Sequence, residues 1–142
     1  MEQNFKNHRR MVPGYHYVLS FLLLVGLIGS IINLCQSEGT AAYYSASLIT
    51  LLFVCAFLTT AFTRTFALKA QDRAIRAEEN LRHFVLTGKT LPAGLSIHQI
   101  VALRFAADAE FPTLAEKAVK EGLSGKAIKQ EIKDWKADHY RV

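Results

Sequence analysis

Charge is missing from two long stretches of this chain. No Asp, Glu, Lys or Arg lies between Arg10 and Glu38, and none between Glu38 and Arg64. Each gap is longer than the roughly 20 apolar residues that carry a helix across a bilayer. This pattern argues against an ordinary soluble globule and predicts an integral membrane protein. Pro and Gly are absent from Ala41 to Leu86, which removes the strongest helix breakers from that run. Cysteine is scarce. Cys35 ends the first apolar stretch, and Cys55 lies about 14 residues into the second, roughly 20 Å deep at 1.5 Å per residue. Cysteines so different in depth cannot bridge within one pair of helices, and both read as small apolar fillers. HExxH, CxxC and a His pair at i, i+4 are also missing. GLSGK (Gly122–Lys126) lacks the spacing of a phosphate-binding loop and reads as a turn between helices. No catalytic, cofactor-binding or metal-ligating residue is assigned, and no cofactor is expected.

What is present starts with the two spans, at about 15–34 and 41–62. In hydrocarbon every backbone group must be satisfied within the segment, so both are predicted helices despite their Val and Ile content. CQSEGT (Cys35–Thr40) is so short a connection that it forces antiparallel neighbours, making 15–62 a transmembrane hairpin. Tyr15, Tyr17, Tyr43 and Tyr44 suit the headgroup zone, because the ring is apolar and the hydroxyl stays wet. With Arg9, Arg10 and Arg64 they form the expected interface anchors. Gly26 and Ser30 are four apart on one face, with Gly29 beside them. Small residues at that spacing let another helix approach closely; the face packs on the second span or receives another subunit. Hydroxyls in the second span can bond their own helix. Neither span carries an ionisable group in its core, which disfavours a transporter or pump acting alone. The first span has the basic front and apolar core of a signal peptide. Its leader is long, however, and Leu34 is too large for a lipoprotein-type cut before Cys35, so the span is expected to be retained. Residues 1–14 form a basic interfacial arm with Lys6, Arg9 and Arg10. The turn has no base, and Arg64, Lys69, Arg73 and Arg76 follow the second span. Both termini are therefore expected in the cytoplasm.

The second helix is predicted to run on to about Leu86 and stop at Gly88, so that 63–87 is a cytoplasmic stalk. Ala67, Ala70, Ala74, Ala77, Leu81 and Phe84 alternate by three and four, the spacing of a and d positions in a heptad. Alanines bury little, so close packing on another helix, from this chain or a partner, fits better than an autonomous coiled coil. Gly88–Leu95 is a linker, and 88–142 is a small helical domain. Its helices are expected at about 97–107, capped by Ser96 with Gln99; at about 109–121, capped by Asp108 with Pro112 in the first turn; and at about 125–138, capped by Ser124. The expected core is Ile97, Val101, Phe105, Leu114, Val119, Ile128, Ile132 and Trp135. Such a core is thin, so the domain is expected to lean on the stalk or on the membrane surface. The fold class is an all-α membrane protein: a two-helix transmembrane hairpin, a second helix extended into the cytoplasm, and about three short helices after it.

The chain holds 17 Lys and Arg against 12 Asp and Glu. Lys126, Lys129, Lys133 and Lys136 share roughly one side, interspersed with Glu131, Asp134 and Asp138. That side is a solvated face or one that meets anionic headgroups, at roughly 1 kcal/mol per base; nucleic acid is not expected as a partner.

Several segments carry a resemblance: Asn7-His8 through Val12-Pro13-Gly14-Tyr15-His16, Phe66-Ala67-Leu68-Lys69 with Gln71-Asp72-Arg73, Ala102-Leu103-Arg104-Phe105-Ala106, and Asp134-Trp135-Lys136-Ala137-Asp138. Over nearly its full length the chain resembles an uncharacterised family of small bacterial two-span membrane proteins, described as a domain of unknown function. The resemblance implies a multi-pass protein of the bacterial inner membrane and supplies no activity or ligand. From the residues, the leading expectation is a non-catalytic, membrane-anchored interaction subunit that binds the bilayer and a protein partner or a second copy of itself. A surface sensor whose basic helical tail binds anionic lipid or a soluble ligand is the first alternative; an accessory subunit of a transporter is the second.

Overall fold

A computed structural model describes residues 3–5, 7 and 11–139. Among the described residues there are five α-helices and no strand: α1 (Ser20–Gln36), α2 (Tyr43–Thr87), α3 (Ile97–Leu103), α4 (Phe111–Lys120) and α5 (Gly125–Glu131). A π-helical turn, Gly14–Leu19, leads into α1. Two helices, Gly14–Gln36 and the 45-residue Tyr43–Thr87, are long and apolar enough to cross a membrane. The chain divides into two compact units, Met11–Phe66 and Ala67–Val142, the latter with the N-terminal residues.

In the first unit, helix α1 ends where Ser37 turns its N–H back to the Asn33 and Leu34 carbonyls, and Gly39 takes the left-handed φ of 75° that the turn requires. Its helices meet through small and hydroxyl side chains. A Cβ added to Gly26 would run into the ring of Phe53. Thr50 Oγ1 lies 3.1 Å from Ser30 O and 3.0 Å from Ala46 O. The Tyr15 hydroxyl donates to Thr60 O at 2.6 Å. Ser47, Thr59 and Thr60 bond carbonyls of their own helix. Gly26 and Ser30 thus pack on α2, while a Cβ on Gly29 would meet open space.

In the second unit α2 stops where expected. Gly88 takes φ 71° and its N–H closes on Phe84 O at 2.8 Å. Helix α3 opens with a reciprocal capping box between Ser96 and Gln99, and Ser124 caps α5 through Ala127 N–H. Helix α3 packs on α4 and α5. Their core joins Ile75 and Leu95 to Ile100, Ala102, Leu103, Ala106, Phe111, Leu114, Ala115, Ala118 and Ile128.

Three expectations change. Asp108 does not cap α4; its carboxylate is taken by Arg82, and Glu110 stands at the N-cap without a side-chain cap bond. Helix α3 is shorter than 97–107, because Phe105 and Ala106 turn away to meet the C-terminal segment. Helix α5 ends at Glu131, not near Asp138. The Glu110 carboxylate accepts the N–H groups of Lys133 and Asp134, both at 3.2 Å, and Ala106 pairs antiparallel with Trp135. Lys136 N–H then reaches Phe105 O at 2.8 Å, and the Trp135 ring stacks on Phe105 at 4.7 Å. Partners distant in sequence here replace the i→i−4 bonds a longer helix would make.

Candidate functional site

From Ala67 to Thr87, α2 has two dissimilar sides. One carries Ile75, Glu79 and His83, spaced by four and all buried. Arg82 sits beside them as a hub. Its guanidinium pairs with Glu79 at 2.9 Å and Asp108 at 2.6 Å, donates to Ala106 O at 2.7 Å, and lies 4.4 Å from the centroid of Phe111. The hydrogen bond from Arg82 and then its charge hold the Asp108 carboxyl below its ordinary value. His83 Nδ1 is 2.8 Å from Lys89 O, and its ring meets Phe111 edge-on. Asn80 Oδ1 accepts the N–H of Leu91 at 2.9 Å. These bonds sew the 88–95 linker onto the helix.

The other side is open. Ala70, Ala74, Ala77, Leu81 and Phe84 are exposed, and Ala67 is half-buried. Leu81 keeps 63% of its surface, Phe84 53% and neighbouring Val85 74%. The heptad seam therefore does not pack on this chain's own α3–α5. The side of α2 that faces the rest of its unit is the one carrying Ile75, Arg82 and His83, which meet Phe111, Asp108 and Lys89.

Grooves flank this helix. One of about 660 Å³ is lined by Arg73, Arg76, Leu91, Pro92, Leu95 and Ile100 among others. A smaller one of about 360 Å³ lies on the flank of Gln71 and Glu78, with Arg104 and Lys136 opposite. Arg104 is buried and ion-paired to Asp138 at 3.3 Å. Lys117 is bridged to Glu131 at 2.7 Å, and that hydrogen bond raises its pKa. Among the described residues no group of three or more His, Cys, Asp or Glu is placed to hold a metal ion.

Of the expected core, Phe105, Ile128 and Leu114 are buried, while Ile97, Val101, Ile132 and Trp135 are half-buried. Val119 is corrected to an exposed position at 37%, and Ala115 and Ala118 are the fully buried residues in that part of α4. Ile75, Leu103 and Ala106 belong to the core without having been expected there. Ile75 is a lone apolar residue between polar neighbours on its side of α2, so periodicity carried no signal for it. Among the interface anchors, Tyr17, Tyr43 and Tyr44 are exposed, and Tyr15 and Arg64 are half-buried. Arg9 and Arg10 lie outside the described residues.

Residues 1–142 match the family described as "Family of unknown function (DUF6526)", and the chain belongs to it. No curated protein matches the chain. No solved structure matches it either.

Proposed function

We propose that this family member is a non-catalytic, membrane-anchored interaction subunit. In this reading α1 and the first half of α2 form a transmembrane hairpin in the bacterial inner membrane, with both termini in the cytoplasm. The contacts of Gly26 with Phe53 and of Ser30 with Thr50 support the hairpin. The second half of α2 and α3–α5 form the cytoplasmic part that meets a partner or a second copy. The observation that carries the reading is the two-sided stalk. The same continuous helix holds its own helical unit on the Ile75–Glu79–His83 side and leaves Leu81, Phe84 and Val85 open on another. Exposed apolar patches on a folded unit mark interaction surfaces. Gentle detergent extraction from native membranes followed by mass measurement tests it. A complex heavier than one chain is expected, and a lone chain with nothing co-purifying would count decisively against the proposal.

A second reading, a sensor of the anionic membrane surface, is favoured by the groove that sets Arg73 and Arg76 beside Leu91, Pro92 and Leu95. Under it, Arg73→Gln with Arg76→Gln weakens retention of the full chain on anionic vesicles and leaves neutral vesicles unaffected.

A further inference from the structure

We propose that the open side of α2 is the interface of a parallel homodimer, the occupant being a second copy of the same side. The inference rests on the membrane-anchored reading above and makes its partner specific.

The first ground is placement. With Ala67 at position a, the seam Ala67, Ala70, Ala74, Ala77, Leu81, Phe84 fills a and d without a gap. The residues α2 buries against its own unit, Ile75, Glu79 and His83, fall at b, f and c. At about 100° per residue these lie roughly opposite the seam. Ala74 and Ala77 stand at the rims of the two grooves beside α2, and the exposed side between those rims is where a partner helix would lie.

The second ground is charge. Arg73 falls at g and Glu78 at e. In a parallel, in-register pair the g residue of one helix faces the e residue five positions later on its partner. Arg73 of each copy therefore meets Glu78 of the other, twice by symmetry. Both side chains are exposed, and among the described residues neither is joined to an ion-pair partner. An antiparallel pair would lose this match. Parallel is also the arrangement that two chains inserted in one membrane with one topology must adopt. The large exposed groups Leu81 and Phe84 supply the apolar contact, and the alanines before them let the helix axes approach closely. Confinement to one bilayer raises the effective concentration, so a seam of about three heptads suffices where it would not in solution.

The test is cysteine crosslinking of the full chain in native membranes, in a background with Cys35→Ser and Cys55→Ser. Under mild oxidant Ala77→Cys at d is expected to give a covalent dimer, and Lys69→Cys at c is not. Arg73→Glu or Glu78→Arg added to Ala77→Cys is expected to cut the dimer roughly threefold or more, and the two reversals together to restore it. Equal crosslinking at Ala77 and Lys69, or charge reversals without mutual rescue, overturns the homodimer. If the chain instead extracts as one copy bound to a different protein, the homodimer falls and the interaction-subunit reading stands. If it extracts alone and does not crosslink, both fall.

Discussion

The two units of this chain are packed by opposite rules. In Met11–Phe66 the buried residues are Ser30, Ser37 and Ala46, while Phe21, Leu22 and Leu52 keep 64%, 59% and 66% of their surfaces. In Ala67–Val142 the most deeply buried large side chains are Phe105, Phe111, Leu103 and Ile128, and most of the charges lie outside. Under the membrane-anchored reading proposed above, the difference follows from what surrounds each unit. Where the surroundings are as apolar as leucine, large side chains gain nothing by turning inward, and helices meet through small residues and hydroxyls. Where the surroundings are water, burial of large apolar groups supplies the driving force.

Three changes probe that contrast, read on the full chain in detergent. Trp135 is the sole tryptophan, stacked on Phe105, and its fluorescence reports on the second unit alone. The largest effect is expected from Phe111→Ala, which empties a fully buried site under Arg82 and His83. It should cost about 3–5 kcal/mol in urea unfolding followed by Trp135. Leu52→Ala, an equally apolar truncation at an exposed site of the other unit, should leave that transition within about 0.5 kcal/mol. An equal response to both would break the comparison.

The next effect is expected from Gly26→Leu. The new side chain collides with the Phe53 ring, and overpacking of this kind costs about 1–3 kcal/mol. Amide exchange around Ala46 and Thr50 should rise while the Trp135 transition stays in place. A shift in Trp135 with no change in exchange would mean that the helix contact is not where the first unit is held.

The smallest concerns Asp108. Arg82 lowers its pKa in the folded chain relative to the ordinary 3.8. A depressed carboxyl contributes stability that is fully present above the unfolded pKa and is lost as pH falls through the lowered folded value. Its side chain is 64% exposed, so the contribution is discounted to less than about 1 kcal/mol. Asp108→Asn should therefore cost less than about 1 kcal/mol at neutral pH, with the loss shrinking as pH falls below about 4, so that the acid side of the stability curve flattens. A loss as large in acid as at neutral pH would contradict that assignment.

Much of this architecture is written locally. The charge gaps place both apolar helices, Ser96 with Gln99 and Ser124 mark two helix starts, and Gly88 marks the end of α2. The heptad on α2 is also legible, as a pattern. What the pattern could not say is which side of the helix the chain itself would use. Ile75, Glu79 and His83 carry one apolar residue in three and look like a solvated face until Arg82, Asp108 and Phe111 are brought beside them. The early end of α5 is of the same kind, since Glu110 takes the Lys133 and Asp134 N–H groups from more than twenty residues away.

The sequence by itself therefore determined where α3 and α5 begin, where α2 stops and which stretches are apolar enough to leave water, because helix caps, breakers and hydropathy act within a few residues of one another. Only the tertiary structure decided that the heptad side of α2 stays open and the Arg82 side is covered. That choice depends on the Arg82–Asp108 ion pair and the contacts of Arg82 and His83 with the Phe111 ring, which join segments whose meeting no local rule describes.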